Sequence, residues 1–284
     1  MIGGNVTVDS GATLAPGNSP GTLAVAGNVT LAAGSLFVPE IDGRAYSAAG
    51  GAGSYDLLAA SGTVSLAGTL GPKLRGISGA ATNTFTPQVG DSFVVITAGN
   101  VTGSFSSVTQ PTDGLPTNSR FDVLYRPTNL ALVITPGSYG VFGLANNWSQ
   151  NATNAAFGLD AVRPAAGTRD GNLQAVFNGI YGLEKTQLRT AITQISGEAY
   201  AHALQSLVQT ERSTFGAMVQ GSCDMSCSAG QGDADESLWI NYVGDYADNS
   251  ADRLSSGYTN RNHGVVGGVT IVSTNKVKFG IAAS

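Results

Sequence analysis

Two histidines (His202, His263), two cysteines (Cys223, Cys227) and a serine behind a Gly-Asp pair (Ser92) are the side chains here that invite a chemical reading. A nucleophilic serine needs a base within hydrogen-bond reach. Gly90-Asp91-Ser92 runs on into Phe93, and no Asp-x-x-His follows to supply that base. A turn entering the strand Phe93–Ile96 accounts for the same residues, so an esterase built on Ser92 is the weaker reading. His202 falls in a predicted helix and His263 among predicted strand residues, and both read as surface or helix-face side chains. Cys223 and Cys227, in Cys-Asp-Met-Ser-Cys, would close a small disulfide loop in an oxidising compartment or stand as two unpaired thiols in a flexible loop. Both readings stay open. A metal site is disfavoured, because four ligands are normally needed and no further Cys or His lies nearby. Gly50-Gly51-Ala52-Gly53-Ser54-Tyr55-Asp56 has no phosphate-binding Lys after it, misses the calcium-nonapeptide spacing, and reads as a flexible loop. No cofactor is implied.

The elements that would carry these residues belong to a chain of 284 residues in which only 12% are charged and 39 are glycine. Ordinary globular chains carry about 25% charge. Few charges, many small residues and abundant Val and Leu suit repetitive β structure and argue against generic disorder. The net charge of −5, without a basic stripe, disfavours nucleic-acid partners. No run of 18 apolar residues is present, so a membrane-spanning helix is not expected. A barrel remains open, because its strands carry a weaker hydropathy signal.

Residues 1–135 read as short strands broken by Gly and Asn. Gly4-Asn5-Val6-Thr7-Val8 recurs as Gly27-Asn28-Val29-Thr30-Leu31 at an offset of 23 residues, with an echo at Gly99-Asn100-Val101-Thr102-Gly103. A period in the twenties is a solenoid signature. Leu23, Val25, Val29, Leu31 and Val94–Ile96 are the expected core. From 145 to 222 the pattern is helical. Asp170 is placed to cap a helix over Leu173, Val176, Phe177 and Ile180. A second helix spans Glu184–Ile195, and a third follows Ser196 with the stripe Tyr200, Leu204, Leu207, Val208, Phe215 and Met218. Cys223–Glu236 reads as a loop. Strand character returns at Leu238–Tyr246, with Leu238, Ile240, Tyr242 and Tyr246 on one face and Trp239, Asn241, Val243 and Asp245 on the other. A polar loop over 248–257, a strand around Val265–Val272, a turn at Ser273-Thr274-Asn275 and an alternation of Val277, Phe279 and Ile281 complete the chain.

Leu14-Ala15-Pro16-Gly17-Asn18-Ser19-Pro20-Gly21-Thr22-Leu23 closely resembles the passenger-associated repeat of bacterial autotransporters (type V secretion). Tyr55-Asp56-Leu57-Leu58 with Gly62–Leu70, Gly90–Ile96 with Gly103-Ser104-Phe105, and Leu130–Pro136 resemble the following blocks of such passengers. Gln194-Ile195-Ser196-Gly197-Glu198-Ala199-Tyr200-Ala201 resembles the helix that precedes autotransporter barrels, with Ile195 in place of the usual Leu. The resemblance covers residues 4–284 in the family's order. It implies a mainly β chain: the end of a parallel β-helix (1–136), a helical linker (137–231) and the truncated start of an outer-membrane β-barrel (232–284). Asn146-Asn147 resembles the cleavage pair of self-cleaving members but stands upstream of the whole linker. Gly90-Asp91-Ser92 resembles the opening of the lipase-type block that some members carry, departing from it at Phe93.

The 53 residues from 232 to 284 have room for three barrel strands at about 9–11 residues each, whereas bacterial barrels need at least about 8 strands. An open sheet edge in lipid leaves backbone groups unpaired. Residues 1–5 lack a signal peptide's basic and apolar parts. The expectation is a fragment that alone neither inserts nor is exported. The full-length family sits in the outer membrane with its passenger secreted to the cell surface. Its partners are outer-membrane lipid and the barrel assembly machinery, with any host or cell-surface ligand of the passenger unknown. The function expected is non-catalytic export and display of the passenger. A surface adhesin or binding solenoid is the alternative.

Overall fold

The computed structural model describes residues 1–169, 171–227, 237–273 and 278–283, with the side chains of 221–227, 237, 270–273 and 278–280 left out. The protein is mainly β, with parallel sheets and a smaller set of antiparallel strands. Two compact units divide it: Met1–Trp148 with Thr153–Ile192, and Ser149–Ala152 with Thr193–Ser284.

In the first unit the chain visits three sheets in turn. β1 (Val6–Val8), β2 (Thr13–Leu14) and β3 (Thr22–Val25) make the first pass, and β4 (Val29–Leu31), β5 (Leu36–Phe37) and β6 (Leu57–Ala60) the second. β7 (Thr63–Leu66), β8 (Thr69–Leu70) and β9 (Ser92–Thr97) make the third, before β10 (Asn100–Gly103) and β11 (Ser107–Val108). Each strand pairs in parallel with its counterpart in the next pass, giving the sheets β1-β4-β7-β10 and β2-β5-β8-β11 and the β3-β6-β9 part of a third. β12 (Ser119–Tyr125) and β13 (Asn129–Pro136) then turn back, and β13 pairs antiparallel with β9.

The Gly-Asn-Val-Thr echo is thus the repeat itself. Val6 registers with Val29, Val29 with Val64 and Val64 with Val101. The asparagines tie corners together: Asn5 Oδ1 accepts from the Asn28 N–H and Asn28 Oδ1 from the Thr63 N–H, both at 2.8 Å. At the same corner the backbones come so close that a Cβ on Gly27 would lie 2.7 Å from the Gly4 carbonyl, which only glycine permits.

The interior is filled from all three sheets. Val29, Leu31, Val64, Phe37, Leu70, Leu58 and Ile96 are buried, and Phe37 stacks on Phe105 at 6.1 Å. Of the expected core, Val25, Val29, Leu31, Val95 and Ile96 are buried, while Leu23 and Val94 are half-buried.

Helices follow β13. α1 (Tyr139–Ala145) begins earlier than the sequence pattern indicated, with Ser138 Oγ accepting from the Val141 N–H at 3.1 Å and Asp160 Oδ1 from the Tyr139 N–H at 2.8 Å. α2 (Gln150–Ala161) and α3 (Gln174–Ile180) come next. Asp170, the expected cap, lies outside the described residues, and the N-cap position of α3 is Leu173, without a side-chain cap. α4 (Lys185–Ile195) buries Leu188 and Ile192, as their spacing of four predicts.

Candidate functional site

The second unit is a three-stranded antiparallel sheet with one long helix on one face. α5 runs from Glu198 to Cys227, through the start of the expected loop. β14 (Ser237–Asn249), β15 (Tyr258–Ser273) and β16 (Lys278–Ala283) follow. β15 starts seven residues earlier than Val265, because cross-strand pairs continue up to Asn249↔Tyr258. The turn expected after Ser273 lies outside the described residues.

Period-two alternation sorts the side chains. Leu238, Ile240 and Tyr242 are 66–69% exposed, while Trp239 is 5% exposed. Register places Val269 beside Leu238 and Val265 beside Tyr242, both exposed. Ile281, paired with Val269, extends the same apolar band.

The opposite face receives α5 through polar side chains. Gln209 Nε2 donates to Asp245 Oδ1 at 3.0 Å, Asn241 Nδ2 donates to the Ala217 carbonyl at 3.2 Å, and Asn262 Nδ2 donates to Thr210 Oγ1. His202 stacks on Tyr258 with ring centroids 4.5 Å apart. A cavity of about 200 Å³ between helix and sheet is lined by Thr210, Ser213, Thr214 and Asp245 among others. Of the expected stripe, Tyr200, Leu204, Leu207, Val208 and Phe215 form the exposed side of α5, and Met218 is half-buried. The helix therefore turns mainly small and polar residues to the sheet.

The hairpin loop between β14 and β15 is pinned. Glu198 Oε2 accepts from the Ser256 N–H at 3.0 Å and from its hydroxyl. The Arg253 and Leu254 carbonyls accept from the first N–H groups of α2, Gln150 at 2.7 Å and Asn151 at 3.0 Å, which would otherwise be orphans of a helix start.

The residues chosen from sequence for their chemistry are not brought together. Ser92 is exposed at the start of β9. Asp91 beside it accepts from the Gln88 N–H at 2.7 Å and pairs with Arg44 at 2.8 Å, the bonding of a turn. Both histidines belong to the other unit. Cys223 and Cys227 lie on the last turn of α5, and their side chains are outside the described set. Asn146 and Asn147 follow α1, the first bonding its own helix through the Phe142 carbonyl at 2.8 Å. Among the described residues no group of three or more His, Cys, Asp or Glu side chains is placed to hold a metal. No helix among them is long and apolar enough to cross a membrane.

One carboxylate escaped the sequence reading. Asp56 ends a Gly-rich stretch that reads as a flexible loop, yet it is fully buried. Its oxygens accept from the Gly21 N–H at 2.6 Å and the Glu40 N–H at 2.9 Å, bonds that tie three distant segments. Burial pushes its pKa up to about 7, against the pull of those two bonds and with help from the Glu40 carboxylate. The folded state thus holds the Asp56 proton more tightly than the unfolded chain. Its contribution is full below about pH 4 and is lost as pH rises towards 7. Asp42, whose pKa is lowered, acts in the opposite sense below that window; burial works against this, but bonds from Gly53, Thr82 and Asn83 prevail. Urea midpoints of the intact chain should therefore fall from pH 4.5 to pH 7.5. Asp56→Asn should flatten that slope at a cost of about 1 kcal/mol for a mismatched bond; an unchanged slope would refute the assignment.

Compared with protein-family models the chain matches none, and no curated protein matches it significantly.

Proposed function

We propose that this chain is a fragment of a bacterial autotransporter: the end of a parallel β-solenoid passenger, a helical linker, and the opening strands of an outer-membrane barrel. Its role is non-catalytic, in export and display of the passenger. One observation carries this reading above the others. The β14–β16 sheet turns an apolar band outward and a mixed face inward, where Trp239 and Val266 are buried among the polar residues that bond α5, so that its largest continuous apolar surface points away from the helix. A barrel wall in lipid with a helix in a wet lumen requires that orientation. The three passes of in-register parallel strands, continued by β10 and β11, and the motif order support the same reading. In the family the barrel anchors, the helix threads the pore, and successive rungs fold outside as each buries its apolar face on the last.

The test is surface display from the reading frame that carries this chain, followed by protease accessibility of the solenoid on intact cells. Ile240→Lys places a charge on the outward band, at a cost of about 2–4 kcal/mol near the bilayer midplane, and should abolish display. Thr30→Lys, on an exposed strand position, should leave it intact. Display of Ile240→Lys at the parental level would overturn the proposal.

A further inference from the structure

We infer that Arg261 and His263, at the rim of the outward apolar band, form a binding site for the phosphate of an anionic lipid headgroup; this rests on the membrane reading proposed above. The two residues stand on one face of β15, two positions apart, hence roughly 7 Å along the strand. Both are exposed on the outward face. Each is backed by a tyrosine from β14. The Arg261 guanidinium lies 5.3 Å from the centroid of the Tyr246 ring, and the His263 ring stacks on Tyr242 at 6.0 Å. The Tyr242 hydroxyl also bonds His263 Nδ1, which leaves Nε2 for an external partner.

Position along the strand gives the pair its meaning. Cross-strand rows on the outward face run Leu238–Val269, Ile240–Gly267 and Tyr242–Val265, then Gly244–His263 and Tyr246–Arg261. Three apolar rows are thus followed by two rows carrying nitrogen donors and aromatic rings. Where hydrocarbon gives way to headgroups, a tyrosine with a wet hydroxyl and a cation with phosphate in reach are the groups that fit. A guanidinium forks onto phosphate oxygens through two N–H groups, and an imidazole N–H on the same face adds a third donor. The next row, Asp248–Thr259, carries a carboxylate that accepts from the Thr259 hydroxyl at 3.4 Å and keeps its charge, so the phosphate is taken on the Arg261–His263 side of that row. The chain as a whole carries a net charge of −5. General attraction to an anionic surface is therefore absent, and any preference for one must be local.

The experiment is co-sedimentation of the whole chain with phosphatidylcholine vesicles, with and without phosphatidylglycerol, at low salt. The parent should bind the anionic vesicles more tightly, by about five-fold per contributing cation. Arg261→Gln with His263→Gln should reduce binding to the phosphatidylcholine level without changing that level, and Arg261→Lys should keep part of the preference. Arg212→Gln, an exposed cation on α5, should change nothing. Equal binding to both vesicles, or the same loss from Arg212→Gln, would overturn the headgroup site while leaving the apolar band intact. Binding to neither would overturn the headgroup site.

Discussion

Asp122→Ala should lower the stability of the first unit by about 3–5 kcal/mol, the range for removing one partner of a buried ion pair. Asp122 and Arg163 are almost wholly buried, with side chains 1% and 3% exposed. Arg163 Nη2 bonds Asp122 Oδ2, Arg120 Nη2 reaches Oδ1 at 2.9 Å, and the Thr135 hydroxyl donates to Oδ2 at 2.6 Å. Arg163 also donates to the Pro136 carbonyl at 2.7 Å and lies 4.3 Å from the centroid of the Tyr139 ring. Burial alone would drag the guanidinium's pKa down; Asp122, with Tyr139 and Tyr181 nearby, more than offsets this and holds it raised. Removing the carboxylate strands two guanidinium groups, one with almost no water to turn to. Arg120→Met should cost much less, because Arg120 is a quarter exposed and Arg163 still neutralises Asp122. Urea denaturation of both variants gives the comparison. A loss below about 1 kcal/mol for Asp122→Ala, or equal losses for the two, would mean that the cluster is not held by its charges.

That cluster was illegible in the sequence for a plain reason. Asp122 and Arg163 stand 41 residues apart, joining a strand to the chain beyond a helix, and no local pattern pairs them. The strand repeat was legible only in part. Its first step is 23 residues, Val6 to Val29, but the next is 35, Val29 to Val64, because a long excursion separates β5 from β6. Thr63 and Ser65 also replace the Asn and Thr of the earlier copies, so the third copy hides from a letter match while filling the same register. The alternation of β14 was plain, since every residue from Leu238 to Tyr246 follows period two. The apolar stripe of α5 was equally plain, but not its direction: periodicity shows which residues share a face, and only the sheet's polar side decides which face of the helix it receives. Asp56 was misread because glycines before a carboxylate look like a loop, whereas its two donors come from 16 and 35 residues away.

Phe93→Ala should cost about 3–5 kcal/mol, the usual range for emptying a fully buried aromatic site. Phe93 is fully buried in β9, where its ring meets Tyr55 at 5.5 Å, Phe85 at 6.0 Å and Phe121 at 6.4 Å between centroids. These rings come from four separate stretches of the chain. β9 itself is bonded on both sides, to β6 and β13, so the backbone cannot collapse into the space. Phe85→Ala, at a half-buried position, should cost less. The neighbour supplies the sharper contrast. Ser92 is exposed, and Ser92→Ala should stay within about 0.5 kcal/mol of the parent. A nucleophile block would be organised around the serine, with a base in hydrogen-bond reach of it. Here the stabilising weight falls on Phe93, and the Gly-Asp turn before it is bonded to Gln88 and Arg44. Thermal or urea unfolding of the two single variants decides between these accounts. A large loss from Phe93→Ala beside a silent Ser92→Ala is the pattern of a strand entering a core. The reverse, or ester hydrolysis lost with Ser92→Ala, would reopen catalysis at this position.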